Sequence, residues 1–275
     1  MKRLVIVLGM FVVESLWIIP VHTQLLYGDG IRQRIIARWL QAAQDNDIAT
    51  LDSYVAHGIN IDVQDDDEQT ALMKAAEYGH AELVMRLITQ GAHLNLADCY
   101  GNTALIKASI HGRCDIVQLL IEAKAKLMRR NKLGGTALIE AAAFGQCAVV
   151  KLLIPAIKAA YEVNADIDVS YMGIDDLRQL MLNELLNPLD VQDYEGRTAL
   201  IQAAVHGYAD IVTLLMDAGA DPLVKDNEGF TAKTLVTRRY LKNKEEVRAA
   251  LMGEKIQPAP KKRRVIYQRK SKINI

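Results

Sequence analysis

The sequence predicts an all-α protein, a solenoid of stacked helix-turn-helix units joined by β-turns or hairpins. Two observations carry this prediction. A ten-residue pattern starting with threonine returns at intervals of 33 residues, and each copy is followed by apolar residues at helical spacing. Composition agrees, because 51% of the residues are hydrophobic but only 5% are aromatic. A core of small aliphatic side chains suits closely packed helices.

Copies of the pattern begin at Thr70, Thr103, Thr136 and Thr198, and a divergent copy begins at Thr231. The first two intervals are 33 residues, the third is 62 and the last is again 33. A shared period over several copies predicts units that bury their apolar faces only by stacking on one another.

Each part of the first full copy has a structural explanation. Thr70 follows a polar turn and can cap the N-terminus of a short helix. Leu72 and the pair Ala75-Ala76 lie on one face, where small residues let neighbouring helices approach closely. Gly79 stands where the helix must end in left-handed backbone. A second helix follows, with apolar residues at Leu83–Ile88.

The period and the Thr-Ala-Leu-x-x-Ala-Ala pattern resemble the ankyrin repeat over about residues 37–252. Two features depart from the family: its usual proline after the threonine is alanine throughout, and its usual histidine at the fourth position is replaced. The replacements are Met73, Ile106, Ile139 and Ile201. The resemblance implies a stack of helix pairs, and losing the histidine removes a hydrogen bond between turns without changing that architecture.

The predicted units occupy residues 37–69, 70–102, 103–135, 136–197, 198–230 and 231–252, after a lead-in at 24–36. The first unit carries Trp39, and the last has lost its alanine pair and gained basic residues, so both are expected to be caps. In the unit at 136–197 we expect a second helix lengthened from Val149 to about Val163. Residues 155–188 then form either a degenerate repeat with one helix at Asp175–Leu186 or a long loop.

The N-terminal residues 1–23 have the pattern of a secretory signal peptide. Lys2 and Arg3 precede an apolar run that begins at Leu4, and cleavage is expected before Gln24. The alternative is an uncleaved membrane anchor, because residues 4–21 approach the length needed to span a bilayer. Glu14, in the middle of that run, favours the signal peptide.

The C-terminal residues 253–275 are expected to be a disordered basic tail. Eight basic and no acidic residues lie from Lys255 onward, which leaves 25 basic and 33 acidic residues before them. The run Lys261, Lys262, Arg263 and Arg264 resembles a nuclear import signal. A solubilising tail, or a patch for anionic lipid or nucleic acid, is the alternative.

The chain shows no motif of an enzyme, so we predict that it is not one and that it needs no cofactor or metal. The acidic run Asp62–Glu68 lacks the glycine and the distal glutamate of a calcium-binding loop and is expected to be a solvated turn. Cys99, Cys114 and Cys147 are too few and too irregularly placed for a disulfide framework. We expect free, buried thiols.

The resemblance implies that a protein partner binds the concave side of the stack, formed by turn tips and by exposed positions of the first helices. The tip residues so implied are Tyr100, Asn102, Lys132, Leu133, Tyr194, Arg197, Asn227 and Phe230. The helix residues are Lys74, Glu77, Tyr78, Lys107, Ile110, His111, Glu140, Phe144, Gln202, Val205 and His206. Tyr78, His111, Phe144 and His206 fall at one position of each unit, and we call these four residues the ring row.

Together these features predict a monomeric, non-catalytic interaction protein that a bacterium exports to its periplasm or surroundings. The ring row is its expected contact ridge, since exposed rings are typical binding anchors. A membrane-anchored assembly platform is one alternative. An exported effector that enters the nucleus of a host cell is another, because it would reconcile a secretory signal with a nuclear one.

Overall fold

The computed structural model describes residues 29–163, 187–238 and 243–253, and these residues form consecutive helix pairs. We call the first helix of each pair inner and the second outer. The inner helices are α1 (Asp29–Gln44), α3 (Ala71–Tyr78), α5 (Ala104–Ile110), α7 (Ala137–Ala143), α9 (Ala199–His206) and α11 (Ala232–Arg238). The outer helices are α2 (Ile48–Ala56), α4 (Ala81–Thr89), α6 (Cys114–Glu122), α8 (Cys147–Val163), α10 (Ala209–Asp217) and α12 (Lys244–Leu251). A short 3₁₀ helix spans Pro188–Asp190.

The repeated threonines begin the inner helices as the sequence predicts. The hydroxyl of Thr70 accepts a hydrogen bond from the Met73 amide at 3.2 Å, and that of Thr198 accepts one from Ile201 at 3.2 Å. Each cap satisfies one of the amides that a helix N-terminus leaves without a partner. At the other end, Gly79 takes a φ of +92°, a left-handed conformation that suits glycine.

The helices stack in two rows. Each inner helix packs on the next, from α1 through α3, α5, α7 and α9 to α11. In the outer row α4, α6, α8, α10 and α12 follow one another in the same way. The predicted all-α solenoid is confirmed, and the described residues contain no strand, only an isolated bridge between Lys225 and Thr231.

The interior is one continuous hydrophobic cluster that reaches from Trp39 in the first helix to Leu251 in the last. The alanines of the repeated pattern line it, and Ala75, Ala108 and Ala203 are completely buried. Because these side chains are small, adjacent inner helices approach closely and no unit has to form a core alone.

The long interval between Thr136 and Thr198 does not interrupt the stack. Helix α7 packs directly on α9, so no further unit lies between them. The predicted lengthening of the outer helix is confirmed, because α8 runs to Val163. Gly91 stands after the equivalent outer helix α4, whereas α8 has buried Ile157 at that position. Residues 164–186, which include most of the predicted degenerate repeat, lie outside the described residues.

Two details differ from the predictions. Helix α1 begins at Asp29, within the predicted lead-in, and Asn46 takes the left-handed conformation after it, with a φ of +59°. The three cysteines are free but half-buried, not buried. Cys114 and Cys147 are the first residues of α6 and α8, next to the surface turns that join the two helices of a pair.

Candidate partner-binding surface

The turns before α3, α5, α7, α9 and α11 are each folded by one Asp or Asn side chain. In the second unit, Asp98 Oδ1 accepts hydrogen bonds from the amides of Tyr100, at 3.0 Å, and Asn102, at 2.8 Å. Asn131 and Asp193 make the same pair of bonds in the next two turns. The side chain replaces backbone partners that a tight turn cannot supply, so the tips share one conformation.

Successive tips are joined by backbone hydrogen bonds. The amide of Lys132 donates to the carbonyl of Tyr100 at 2.8 Å, and the amide of Tyr194 donates to that of Leu133 at 3.0 Å. Gly101, with a φ of +80°, permits this approach, because a Cβ there would lie 2.8 Å from the Lys132 nitrogen. Tyr100, Leu133 and Tyr194 are consequently held side by side along one edge, 65%, 74% and 63% exposed.

The ring row lies at the opposite end of the inner helices, and all four of its side chains are exposed. Phe144, whose side chain is wholly apolar, is 55% exposed. Tyr78 stacks on His80 with ring centroids 6.4 Å apart, and His206 stacks on Tyr208 at 6.2 Å. An inner helix of seven or eight residues separates this row from the tips by about 11 Å.

Lys107 does not belong to the exposed surface, contrary to the prediction. It is 8% exposed, with its ammonium 3.0 Å from Glu77 and 3.2 Å from Asp98. Burial by itself lowers the pKa of Lys107, but the two carboxylates outweigh it and the pKa is raised. Lys107 therefore ties the second unit to the third and offers little to a partner.

The next two units carry Glu140 and Gln202 at the position of Lys107. Glu140 accepts a hydrogen bond from the side-chain amide of Asn131 at 2.7 Å. The side-chain amide of Gln202 donates one to the carboxylate of Asp193 at 2.9 Å. Burial, together with the nearby charge of Asp193, raises the pKa of Glu140. These bonds link each inner helix to the turn before it.

Val205 is the second residue placed wrongly by the sequence. It is 4% exposed and joins the hydrophobic core, because an apolar side chain at the end of α9 is stabilised by burial. The equivalent residues in the second and third units, Glu77 and Ile110, remain half-buried.

The other expected contact residues reach the surface to different extents. Those that are exposed are Tyr78, Tyr100, His111, Lys132, Leu133, Phe144, Tyr194, His206 and Asn227. Those that are half-buried are Lys74, Glu77, Asn102, Ile110, Glu140, Arg197, Gln202 and Phe230. Together they form two exposed rows, the tips and the ring row, with a partly buried polar strip between them.

Two basic residues, Arg129 and Arg130, lie beside the tips and were not among the predicted contact residues. Both are exposed, and the guanidinium of Arg130 donates to the carbonyl of Gln192 at 2.8 Å, which holds it between the third and fourth tips. The signal was present, since five basic and no acidic residues lie between Lys124 and Lys132.

Within the described ranges, no group of three or more His, Cys, Asp or Glu side chains could hold a metal ion. None of the helices in those ranges is long and apolar enough to cross a membrane. The predicted signal peptide or anchor at 1–23 lies outside the described residues. The same holds for the basic tail, including Lys261, Lys262, Arg263 and Arg264.

Comparisons with known proteins agree with the helix-pair stack. A family model described as ankyrin repeats, in three copies, matches residues 39–131 and 128–226. The crystal structure of the ankyrin repeat protein EF0377 superposes with a TM-score of 0.61 and 27% identity, covering 80% of this chain and 98% of that one. A mouse protein named for its ankyrin repeat and MYND domains is 40% identical over 60 residues, which is 22% of this chain and 7% of that protein.

Proposed function

The chain belongs to the ankyrin-repeat family, and we propose that it is a non-catalytic module that binds a protein partner on the concave face of its stack. Ankyrin repeats generally mediate protein–protein interaction. The fold is a scaffold that holds a row of variable side chains on a constant framework, so recognition is its expected task.

The exposed ring row is the observation that carries this proposal. Four equivalent positions present Tyr78, His111, Phe144 and His206 to solvent. Inner helices in direct contact fix their spacing, at about 8–10 Å from one helix axis to the next. Exposed rings on a rigid frame lose little conformational entropy on binding, which makes them effective anchors.

Affinity capture tests the proposal directly. The full chain is immobilised and incubated with a lysate or secretome from its source, beside the variant Tyr78→Ala/Phe144→Ala/His206→Ala. A matched control, Met85→Ala/Gln118→Ala/Lys151→Ala, changes three exposed side chains of the outer helices. We expect the ring-row variant to lose a partner that the control retains. Equal retention by both variants would reject the ring row as the contact ridge.

Export is part of the same proposal and is supported by the pattern of residues 1–23. Sequencing the N-terminus of the native protein tests it. A first residue at Gln24 supports a secreted or periplasmic module, whereas an intact N-terminus in the membrane fraction supports the anchored platform.

The basic tail supports one further candidate, action in the nucleus of a host cell. It is tested by expressing the chain without residues 1–23 in animal cells, with Lys261, Lys262, Arg263 and Arg264 changed to Ala. Nuclear signal that disappears in the variant supports this candidate, and an unchanged distribution rejects it.

A further inference from the structure

The tips of the second, third and fourth units form a small surface of unusual composition. Apolar and aromatic side chains lie in its middle and three cations lie beside them. We call the following six residues the basic tip surface: Tyr100, Arg129, Arg130, Lys132, Leu133 and Tyr194. All six are exposed, which is uncommon for three large apolar side chains on neighbouring turns.

The framework of this surface is fixed by hydrogen bonds within the protein. The amides of Lys132 and Tyr194 bond to the preceding tips, and Arg130 bonds to Gln192 beside the fourth tip. Binding of a partner would therefore cost little conformational entropy in these turns, which favours recognition at this place.

The cations of the basic tip surface are available to a partner. Among the described residues, no carboxylate lies within ion-pairing distance of Arg129, Arg130 or Lys132. Two carboxylates of these tips are already paired, because Asp98 is buried against Lys107 and the exposed Glu195, next to Tyr194, lies 2.6 Å from Arg197. The six residues thus present net positive charge on a stack that is acidic elsewhere.

The tips on either side limit what can bind. The first tip exposes Asp66, Asp67 and Glu68, and the fifth exposes Glu228. A nucleic-acid strand needs cations along its whole length, and here it would meet carboxylates within about two units in either direction. A short acidic protein segment fits, because its carboxylates need to reach only the central tip.

We propose that the basic tip surface binds a protein segment in which an aliphatic or aromatic side chain is flanked by two or more carboxylates. The apolar side chain packs among Tyr100, Leu133 and Tyr194, and the carboxylates pair with Arg129, Arg130 and Lys132. This inference rests on the proposed function and names the class of partner that it would recognise.

A peptide selection tests the inference without knowledge of the native partner. A phage library of random 12-residue peptides is selected on the full chain and counter-selected on the variant Arg129→Glu/Lys132→Glu. We expect the surviving peptides to be enriched in Asp and Glu next to Leu, Phe or Tyr. Survivors without an acidic excess would overturn the inference.

The dissociation constants of the selected peptide provide the sharper measurement. We expect Arg129→Glu/Lys132→Glu to weaken binding at least about tenfold, since two attractive pairs become repulsive. Lys151→Glu/Arg248→Glu makes the same change of charge on exposed positions of the outer helices and should leave the constant unchanged. A peptide with its acidic residues changed to Lys should bind the Arg129→Glu/Lys132→Glu variant better than it binds the original chain.

Three results would overturn the inference: an affinity that Arg129→Glu/Lys132→Glu leaves unchanged, an equal loss in the control, or no recovery with the lysine peptide. A labelled thymine oligonucleotide that binds the original chain and is released by Arg129→Glu/Lys132→Glu would also overturn it in favour of nucleic acid.

Failure here can be told apart from failure of the proposed function. If the ring-row variant loses its native partner but the peptide tests fail, only the basic tip surface is wrong. If the ring-row variant keeps the partner, the ring row is not the contact ridge. The dissociation constants of the peptide then still test whether the basic tip surface binds an acidic segment.

Discussion

The interval from Thr103 to Thr136 and the interval from Thr136 to Thr198 lead to two junctions that differ in sequence more than in structure. Thr103 and Thr136 are 33 residues apart, whereas Thr136 and Thr198 are 62 apart. In both cases the inner helices are in direct contact, and the tips are joined by backbone bonds of 2.8 and 3.0 Å. The 62-residue interval therefore does not separate the two inner helices that flank it.

The electrostatics of the two places are less alike. Lys107 lies between two carboxylates, while Glu140, at the same position of the following unit, has an amide partner and a second carboxylate nearby. The helix faces that make the stack are therefore constant, and the polar strip between the two exposed rows varies from unit to unit. Units that share one fold therefore differ from one another in the side chains of this polar strip.

The largest effect should come from truncating the core on either side of the long interval. Leu105→Ala in α5 and Leu200→Ala in α9 each remove a side chain that is 1% exposed, and each should cost about 3 kcal/mol of unfolding free energy. Urea denaturation of the two variants measures this. Losses that differ by more than about 2 kcal/mol, the spread found for buried leucines in one core, would mean that the long interval alters its junction.

A smaller loss of unfolding free energy is expected from Lys107→Met, because this variant leaves the buried carboxylate of Asp98 without its cation. We expect about 2 kcal/mol, less than for an isolated buried charge because Asp98 keeps its two backbone bonds. A double-mutant cycle with Glu77→Gln, again by denaturation, separates the contribution of that partner. A loss no larger than that of an exposed ion pair would show that the strip does not bind the units together.

The tips offer a third test, because Glu68 takes the left-handed conformation that Gly101 takes in the next tip, with φ values of +58° and +80°. Glu68→Gly should raise the unfolding free energy by about 0.5–1 kcal/mol through relief of backbone strain. Gly101→Ala is the matched control and should lower it, since its Cβ would meet the following tip. Thermal denaturation that moved both variants in one direction would contradict a shared tip geometry.

The smallest effect concerns Glu140, whose raised pKa means that the folded protein holds this proton more tightly than the unfolded chain. The contribution of Glu140 to stability therefore falls as the pH rises from about 4, the ordinary glutamate range, through the raised pKa. Glu140→Gln removes that loss. The unfolding free energy of the variant should therefore increasingly exceed that of the original chain as the pH rises over this interval. At lower pH the two unfolding free energies should be equal. Parallel curves of stability against pH would refute the assignment.

The repeat made most of the fold predictable, for a reason visible in single residues. Thr70, Ala75 and Gly79 have roles set by local geometry: a cap, a close approach between helices and a left-handed ending. Errors came at Lys107 and Val205, where a position that is half-buried in the neighbouring units was fully buried. The repeat pattern specifies which way a side chain points, but its partners on the neighbouring unit decide whether it stays in water.

The candidate binding surface was predictable in the same uneven way. The ring row followed from periodicity alone, since equivalent residues of equivalent units must share an edge. The basic tip surface did not, because Arg130 reaches Gln192, 62 residues away along the chain.

The sequence by itself determined the architecture of this protein, the start and end of most inner helices, and the positions that face the core. Those features depend on interactions within one unit or on a motif repeated from one unit to the next. Only the tertiary structure decided that α7 meets α9 across the long interval, that Lys107 is a buried link, and that three exposed cations flank the apolar tips. Those features depend on which residues of different units come together in space. The separation of two residues along the sequence does not specify the distance between them in the fold.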